Sequence, residues 1–201
     1  MDTTAVQPSS RPGGRTARTR AAVRDATLAE LATQGYAGLS VEAVAARSGV
    51  HKTTVYRRWG GVDGLVVDAL ALADEDGWTP PDTGSFERDL RELVREVVAT
   101  FADPGEAAAP TAFVAAAFQS PRAAAALHEF FAERHRRSAA VVTRAVTRGE
   151  VPEGTDAAAV VKAAVAPVYH RVLIAGEAAT REMADQSAAV VAHGARAGLY
   201  A

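Results

Sequence analysis

Residues Ser40–Trp59 read SVEAVAARSGVHKTTVYRRW, and this stretch decides the fold. Ser40 is a good N-cap, and Val41, Val44 and Ala45 fall on one face of a short helix behind it. Gly49 ends that helix after two turns and supplies the positive φ that a tight turn needs. A second helix begins near His51, with Val55 and Trp59 one turn apart on its inner face and Gly60–Gly61 behind it. Ala45 is small enough to let the two helices cross closely, and Val44 can meet Val55 between them. This is helix-turn-helix spacing, in which the second helix enters a major groove by its N-terminal residues. It offers His51, Lys52, Thr53, Thr54, Tyr56, Arg57 and Arg58. All can donate hydrogen bonds to phosphates or base edges, and no carboxylate lies among them. The bland reading of the same residues is a helical hairpin with a solvated face.

Outward from this segment every pattern is helical. Residues 1–14 are polar, with Pro and Gly, and read as a flexible arm. A helix follows from near Arg15, with Val23, Ala26, Thr27, Leu28 and Leu31 on one face, and Gly35 stops it. A fourth helix carries Val62, Leu65, Val66, Ala69, Leu72 and Ala73 in register up to about residue 76. Residues 77–84 (GWTPPDTG) form a turn-rich linker. Ser85 is expected to cap the next helix, whose stripe is Phe86, Leu90, Leu93, Val94, Val97 and Phe101. Pro104–Gly105 reads as an interruption, followed by a helix over 107–119 and a long one from Pro121 to about Arg148. Asp156 caps a helix over 156–175, with a kink expected at Pro167, and the last helix covers roughly 180–197. The fold is all-α with about nine helices: a three-helix helix-turn-helix unit within residues 15–76 and a second helical domain over 85–201.

Composition agrees. The chain has 201 residues, of which 48% are hydrophobic and 6% aromatic, and alanine supplies nearly half of the hydrophobic share. Such a chain favours closely packed helices over sheets. Residues 1–60 carry nine basic and four acidic side chains, whereas 61–201 carry thirteen and twenty. A basic first third on an acidic body suggests a polyanionic partner, although a basic tail would give the same count. Cysteine is absent, which excludes disulfides and thiolate chemistry and fits a reducing cytoplasm. No apolar run is expected to reach the length of a membrane span. The stretch from Met1 to Arg20 has arginines but lacks the apolar segment of a secretory signal.

The residues also carry a resemblance. From Arg15 to Asp76 the chain resembles the DNA-binding domain of tetracycline-repressor-type (TetR) regulators. The likeness lies in Gln34–Gly35–Tyr36, Leu39–Ser40–Val41, Val44–Ala45, Ser48–Gly49–Val50 and Thr53–Thr54–Val55–Tyr56–Arg57–Arg58–Trp59. Pro81–Ser85, Arg148–Gly149–Glu150 and Pro167–Arg171 are similar to one C-terminal subgroup of the same family. One departure is clear: the family often has a phosphate-holding lysine at the start of the fourth helix, where this chain has Gly61–Val62–Asp63–Gly64.

The resemblance implies a cytoplasmic homodimeric regulator, usually a repressor, that reads a palindromic double-stranded DNA operator and is released by a small-molecule effector. It implies dimerisation through the helices at 156–175 and 180–197, with Ala163, Ala164, Ala184, Ala188, Ala189 and Ala192 allowing close approach. Val160, Val161, Val165 and Val168 would add apolar contact. The alternative is that these residues pack only inside one protomer. At the DNA, Thr53, Thr54, Tyr56 and Arg57 are the leading contacts, with Tyr56 and Lys52 on phosphates and Thr53 and Arg57 at base edges. Ser40 could present its hydroxyl and N–H to a phosphate. Arg15, Arg18 and Arg20 could follow the backbone or enter the minor groove. Phe101, Phe113, Phe118, Phe130, Phe131 and Tyr169 are candidates for an apolar effector pocket, with Gln119, His128, His170 and Arg171 as polar points. Each aromatic is equally a candidate for plain core.

Enzyme signatures are missing. His128–Glu129 starts like a zinc-protease string, but residue 132 is alanine where a second histidine is required. There is no nucleophile elbow and no phosphate-binding Walker loop, and no catalytic residue, cofactor or metal is expected. The competing class is a helical small-molecule-binding protein without DNA-binding activity.

Overall fold

The computed structural model describes residues 12–74 and 77–201. Ten α-helices and one π-helical turn follow in order: α1 Pro12–Gly38, α2 Val41–Ser48, α3 Lys52–Trp59, α4 Val62–Asp74, α5 Phe86–Thr100, α6 Pro104–Ala117, α7 Pro121–Ser138, α8 Ala140–Thr147, α9 Ala157–Tyr169, the π turn His170–Ile174, and α10 Arg181–Arg196. Only Ala139 separates α7 from α8, and its backbone stays helical (φ −56°, ψ −22°). Counted as one run, they give the nine α-helices expected, and no strand occurs among the described residues. Residues 1–11 of the expected arm, and residues 75–76, lie outside the described residues.

Local chemistry explains most boundaries. Ser40 accepts a hydrogen bond from the Ala43 N–H, and Asp156 accepts one from Ala159. Gly49 and Gly60 take left-handed conformations (φ 68° and 76°) that close α2 and α3. Gly35 breaks the helical backbone inside α1 at φ 66°, ψ −179°.

Several expectations change. Pro104–Gly105 does not interrupt a helix; it opens α6, with Asp103 accepting from the Gly105 and Glu106 N–H groups. Ser85 sits at the N-cap of α5 without a side-chain cap bond, and the Phe86 N–H that follows it donates to Glu150 Oε2 at 2.9 Å. After Pro167 the α geometry ends at Tyr169, and the next backbone bond is re-spaced to i→i+5, from Ala175 N–H to His170 O. The run Ala157–Ile174 has a mean hydropathy of 1.4 over 18 residues, so an apolar run of spanning length does exist. It contains Lys162 and Arg171, and its Val160, Val161, Val165 and Val168 are buried in the core.

Two cores hold the molecule. One joins Val23, Leu31, Val44, Val55, Trp59, Leu65 and Val66 of α1–α4 to Ala112, Phe113 and Ala116 of α6 and Ala123 of α7. The other gathers the inner faces of α5, α8, α9 and α10 around Phe86, Leu90, Val94, Val142 and Val160. The four valines of α9, with Ala164, Ala184, Ala188 and Ala192, are all buried inside the protomer. These eight residues therefore pack within one chain, against the expectation that they serve a subunit interface. Of the alanines singled out, Ala163 is half-buried and Ala189 is exposed.

The motif residues around 81–85 and 148–150 are joined in space. Asp89, fully buried on α5, accepts from the Thr83 N–H at 2.5 Å and the Thr83 hydroxyl at 2.6 Å, with the Arg148 guanidinium 3.7 Å away. Arg148 also pairs with Glu150 at 2.6 Å, and Arg144 donates to the Pro81 carbonyl. The strings are thus a clasp that ties the incoming loop to the end of α8.

Candidate functional site

Helix α3 turns two sides to two media. Val55 and Trp59 are buried, while His51, Lys52, Thr53, Tyr56, Arg57 and Arg58 are exposed and Thr54 is partly so. No carboxylate pairs with Lys52, Arg57 or Arg58 among the described residues. His51 is the N-cap rather than a helical residue. Its Nδ1 accepts from the Thr53 N–H at 3.4 Å and lies 2.9 Å from the Thr53 hydroxyl. That arrangement puts the ring proton on Nε2, facing solvent as a donor. Tyr56 donates its hydroxyl to Glu42 Oε1 at 3.2 Å, a bond that raises the phenol's pKa. Arg58 lies back over Trp59, 5.0 Å from the ring centre, leaving Arg57 as the more extended of the two. Ser40 is half-buried, and its oxygen is engaged with the Ala43 N–H.

The position of α3 is set by two carboxylates and a glycine on α4. Asp68 accepts from Arg20 Nε of α1 and from Trp59 Nε1 of α3, each at 2.8 Å. Arg20 is therefore built into the helix-turn-helix unit rather than free to follow DNA, whereas Arg15 is exposed and Arg18 bonds back to the Gly14 carbonyl. Asp63 accepts from the Tyr36 hydroxyl at the end of α1 and from Ser120 Oγ, 2.7 Å away, at the N-cap of α7. Those two hydrogen bonds hold the Asp63 carboxyl below its usual range against the opposing effect of burial, with the Arg122 charge assisting. Burial and Asp63 together push the Tyr36 phenol up. A Cβ added to Gly64 would stand 1.8 Å from the Trp59 carbonyl oxygen, so only glycine permits this approach of α4 to the end of α3. The sequence marks Gly61 as a helix break and Gly61–Gly64 as lacking a lysine, but not the close approach of Gly64 to Trp59. The partners of Asp63 lie 27 and 57 residues away, beyond any local pattern.

A cavity of about 370 Å³ opens between α4, α5, α6, α7 and α9. Of the candidate aromatics, Phe101, Phe113, Phe130, Phe131 and Tyr169 line it, and Trp78, Leu70, Leu127, Glu96 and Arg134 join them. Tyr169 meets Phe101 and Phe131 edge-on at 6.0 and 5.5 Å. Burial drives its phenol up to about 12, so the hydroxyl stays protonated as a donor inside the cavity. Trp78 donates to Glu96 at 2.8 Å and carries the Arg134 guanidinium 4.4 Å from its ring. The other pocket candidates fall elsewhere. Phe118, at the end of α6, is 85% exposed, and Gln119 beside it bonds back to the Ala115 carbonyl. His170 is exposed on the π turn, and Arg171 there pairs with Glu177 and the Ala178 carbonyl. His128 lines a separate opening.

Comparison with known proteins gives this architecture its class. Residues 23–69 match the model of bacterial regulatory proteins of the tetR family, and residues 80–191 match the tetracyclin repressor-like C-terminal domain. The HTH-type transcriptional regulator AqdR of Rhodococcus erythropolis is 34% identical over 147 residues, covering 73% of this chain and 70% of that protein. The TetR family transcription regulator SCO0332 superposes with a TM-score of 0.70 at 29% identity, covering 88% of this chain and 98% of that one. Salmonella enterica GusR shares the fold, with a TM-score of 0.69 at 17% identity over 96% and 99% of the two chains. The chain belongs to the TetR family: it is a helix-turn-helix, DNA-binding transcriptional regulator.

Proposed function

We propose that the protein is a homodimeric repressor that leaves a palindromic operator when a small molecule fills the cavity beside Tyr169. The observation that carries the reading is the outward face of α3, where six donor side chains stand exposed and, among the described residues, no carboxylate pairs with its lysine or arginines. In this reading Thr53 and Arg57 address base edges, and Lys52 and Tyr56 hold phosphates. Thr54, His51, Arg58 and Ser40 border the same surface. Tyr56 exchanges Glu42 for a phosphate on binding. The dimer forms through the outer faces of α9 and α10. Ala189 and Val190 remain exposed on α10 and Ile174 on the π turn that continues α9, Val190 at 65% and Ile174 at 74%.

Helix α4 supplies the lever. Leu70 in its second half lines the cavity, while Asp63, Gly64 and Asp68 grip Tyr36, Trp59 and Arg20. A ligand that prefers one position of α4 shifts the separation of the two recognition helices. The protein acts in the cytoplasm and on the nucleoid when DNA-bound.

The test is in vitro selection of bound duplexes, followed by fluorescence anisotropy across a salt series. Nanomolar binding to an inverted repeat, weakening steeply with salt, supports the reading. A purified chain that ignores every duplex at low salt, yet binds small molecules, would establish the competing ligand-carrier class.

A further inference from the structure

The aromatic cavity does not end at Tyr169. A second cavity of about 370 Å³ shares Val114, Leu127, Phe131 and Tyr169 with it and continues along α9 to His135 and Lys162. A third opening, of about 590 Å³, shares Phe131, His135 and Lys162 with the second and reaches the surface beside His128. The three thus adjoin through shared side chains along one path, whose middle cavity has Phe131 and Tyr169 in its apolar walls and Lys162 in its lining.

Charge along the path is asymmetric. At the inner end the Arg134 guanidinium is stacked on Trp78, and the Glu96 carboxylate stands in the same wall. An anionic head would meet that carboxylate there. At the mouth, Lys162 has no carboxylate partner among the described residues. It is one of only two lysines in a chain with 22 basic residues. His135 beside it is stacked on Phe131, with ring centres 6.0 Å apart. Burial and the Lys162 charge lower the pKa of His135, so it faces the path as a neutral hydrogen-bonding ring. Arg136 is paired with Glu133, and Asp156 spends one carboxylate oxygen on the Ala159 N–H. Lys162 is thus the cation left for a guest.

We propose that this path binds an amphipathic organic monoanion, with an aromatic or aliphatic body lying between Tyr169 and Phe131 and its carboxylate held by Lys162 with His135 alongside. The body displaces water from the apolar walls, and the Tyr169 hydroxyl can bond an oxygen on it. The charge supplies selectivity against a neutral molecule of the same shape, because a charge-assisted bond is about twice as strong as a neutral one. This deepens the effector reading and rests on it for biological meaning, but its test requires no DNA.

Isothermal titration of the full chain at low salt compares 2-naphthylacetate with 2-(2-naphthyl)ethanol, the same ring system without the charge. The acid is expected to bind about tenfold more tightly than the alcohol, a difference of about 1.4 kcal/mol. Lys162→Met should bring the acid down to the alcohol's affinity while leaving the alcohol unchanged, and Lys162→Arg should keep the preference. Equal affinities in the parent chain, a preference that survives Lys162→Met, or no binding of either compound at millimolar concentration overturns the proposal. If the acid binds as described but a bound operator stays bound, the site stands and the effector reading falls.

Discussion

Asp63 offers the sharpest quantitative test of how the DNA-reading helices are tied to the rest of the chain. Its Oδ1 accepts hydrogen bonds from both Tyr36 of α1 and Ser120 at the start of α7. A hydrogen bond to a charged group contributes about 1.5–3 kcal/mol, and the partial exposure of all but Ser120 lowers that, so the pair together is worth about 2 kcal/mol. Asp63→Ala should therefore lower Tm by about 4–8 °C for a chain of this size. Asp63→Asn, which keeps an acceptor oxygen but loses the charge, should lose about half as much. The pH dependence has a definite sign. Because the folded-state pKa of Asp63 is depressed, its contribution is complete above the unfolded carboxylate value of about 3.9 and disappears as pH falls through the folded value. Tyr36 behaves oppositely: its raised pKa gives a contribution complete below about 10 and lost as pH rises through the folded value. Urea unfolding at pH 7, in acid and above pH 10, for parent and variant, measures both effects. A difference below about 0.5 kcal/mol at pH 7, or one that acid leaves untouched, would show that the two hydrogen bonds hold nothing together.

Other outcomes follow from the same geometry. Gly64→Ala should destabilise the chain by at least about 2 kcal/mol, since the new methyl meets the Trp59 carbonyl and α4 must back away; an unchanged melting curve refutes that contact. Asp89→Ala should cost about 3–5 kcal/mol, because it strands the Thr83 hydroxyl and the Arg148 guanidinium around a buried hole, and chemical denaturation will read it. Arg57→Ala should weaken operator binding by about 1–3 kcal/mol and relax one base preference, whereas a loss uniform across sequences would make it a phosphate contact. Lys52→Ala should reduce the slope of log affinity against log salt by about 1, as measured by anisotropy.

The recognition segment was legible because its information is local. Ser40, Gly49, Val55 and Trp59 lie in one short stretch, and each position has a single physical reason. The all-α class followed in the same way from alanine content and helical periodicity. Long-range partners were not legible. Ser85 has the right residue type for a cap yet makes no cap bond, and the neighbouring Phe86 N–H finds its partner in Glu150, 64 residues further on. The pocket shows the same limit. Aromatic identity picked out Phe101, Phe113, Phe131 and Tyr169, which line one cavity. It also picked out Phe118, which ends its helix pointing away from the protein. Trp78 was hidden by its setting in a turn-rich loop, and Lys162 by being a lone charge on an otherwise apolar helix. The alanines and valines of α9 and α10 carried no sign of which side they would face, and most turned inward.

One buried cluster has a practical meaning for anyone who would take the molecule apart. The apolar side chains beneath the recognition helix continue without a seam into Ala112, Phe113, Ala116 and Ala123. Severing the chain within residues 77–84 would uncover that continuation and strip Asp63 of Ser120. Everything ahead of that loop is better regarded as the front of a single block than as a detachable reader. Swapping it onto another family member's body would transplant a surface whose underside was shaped for a different foundation.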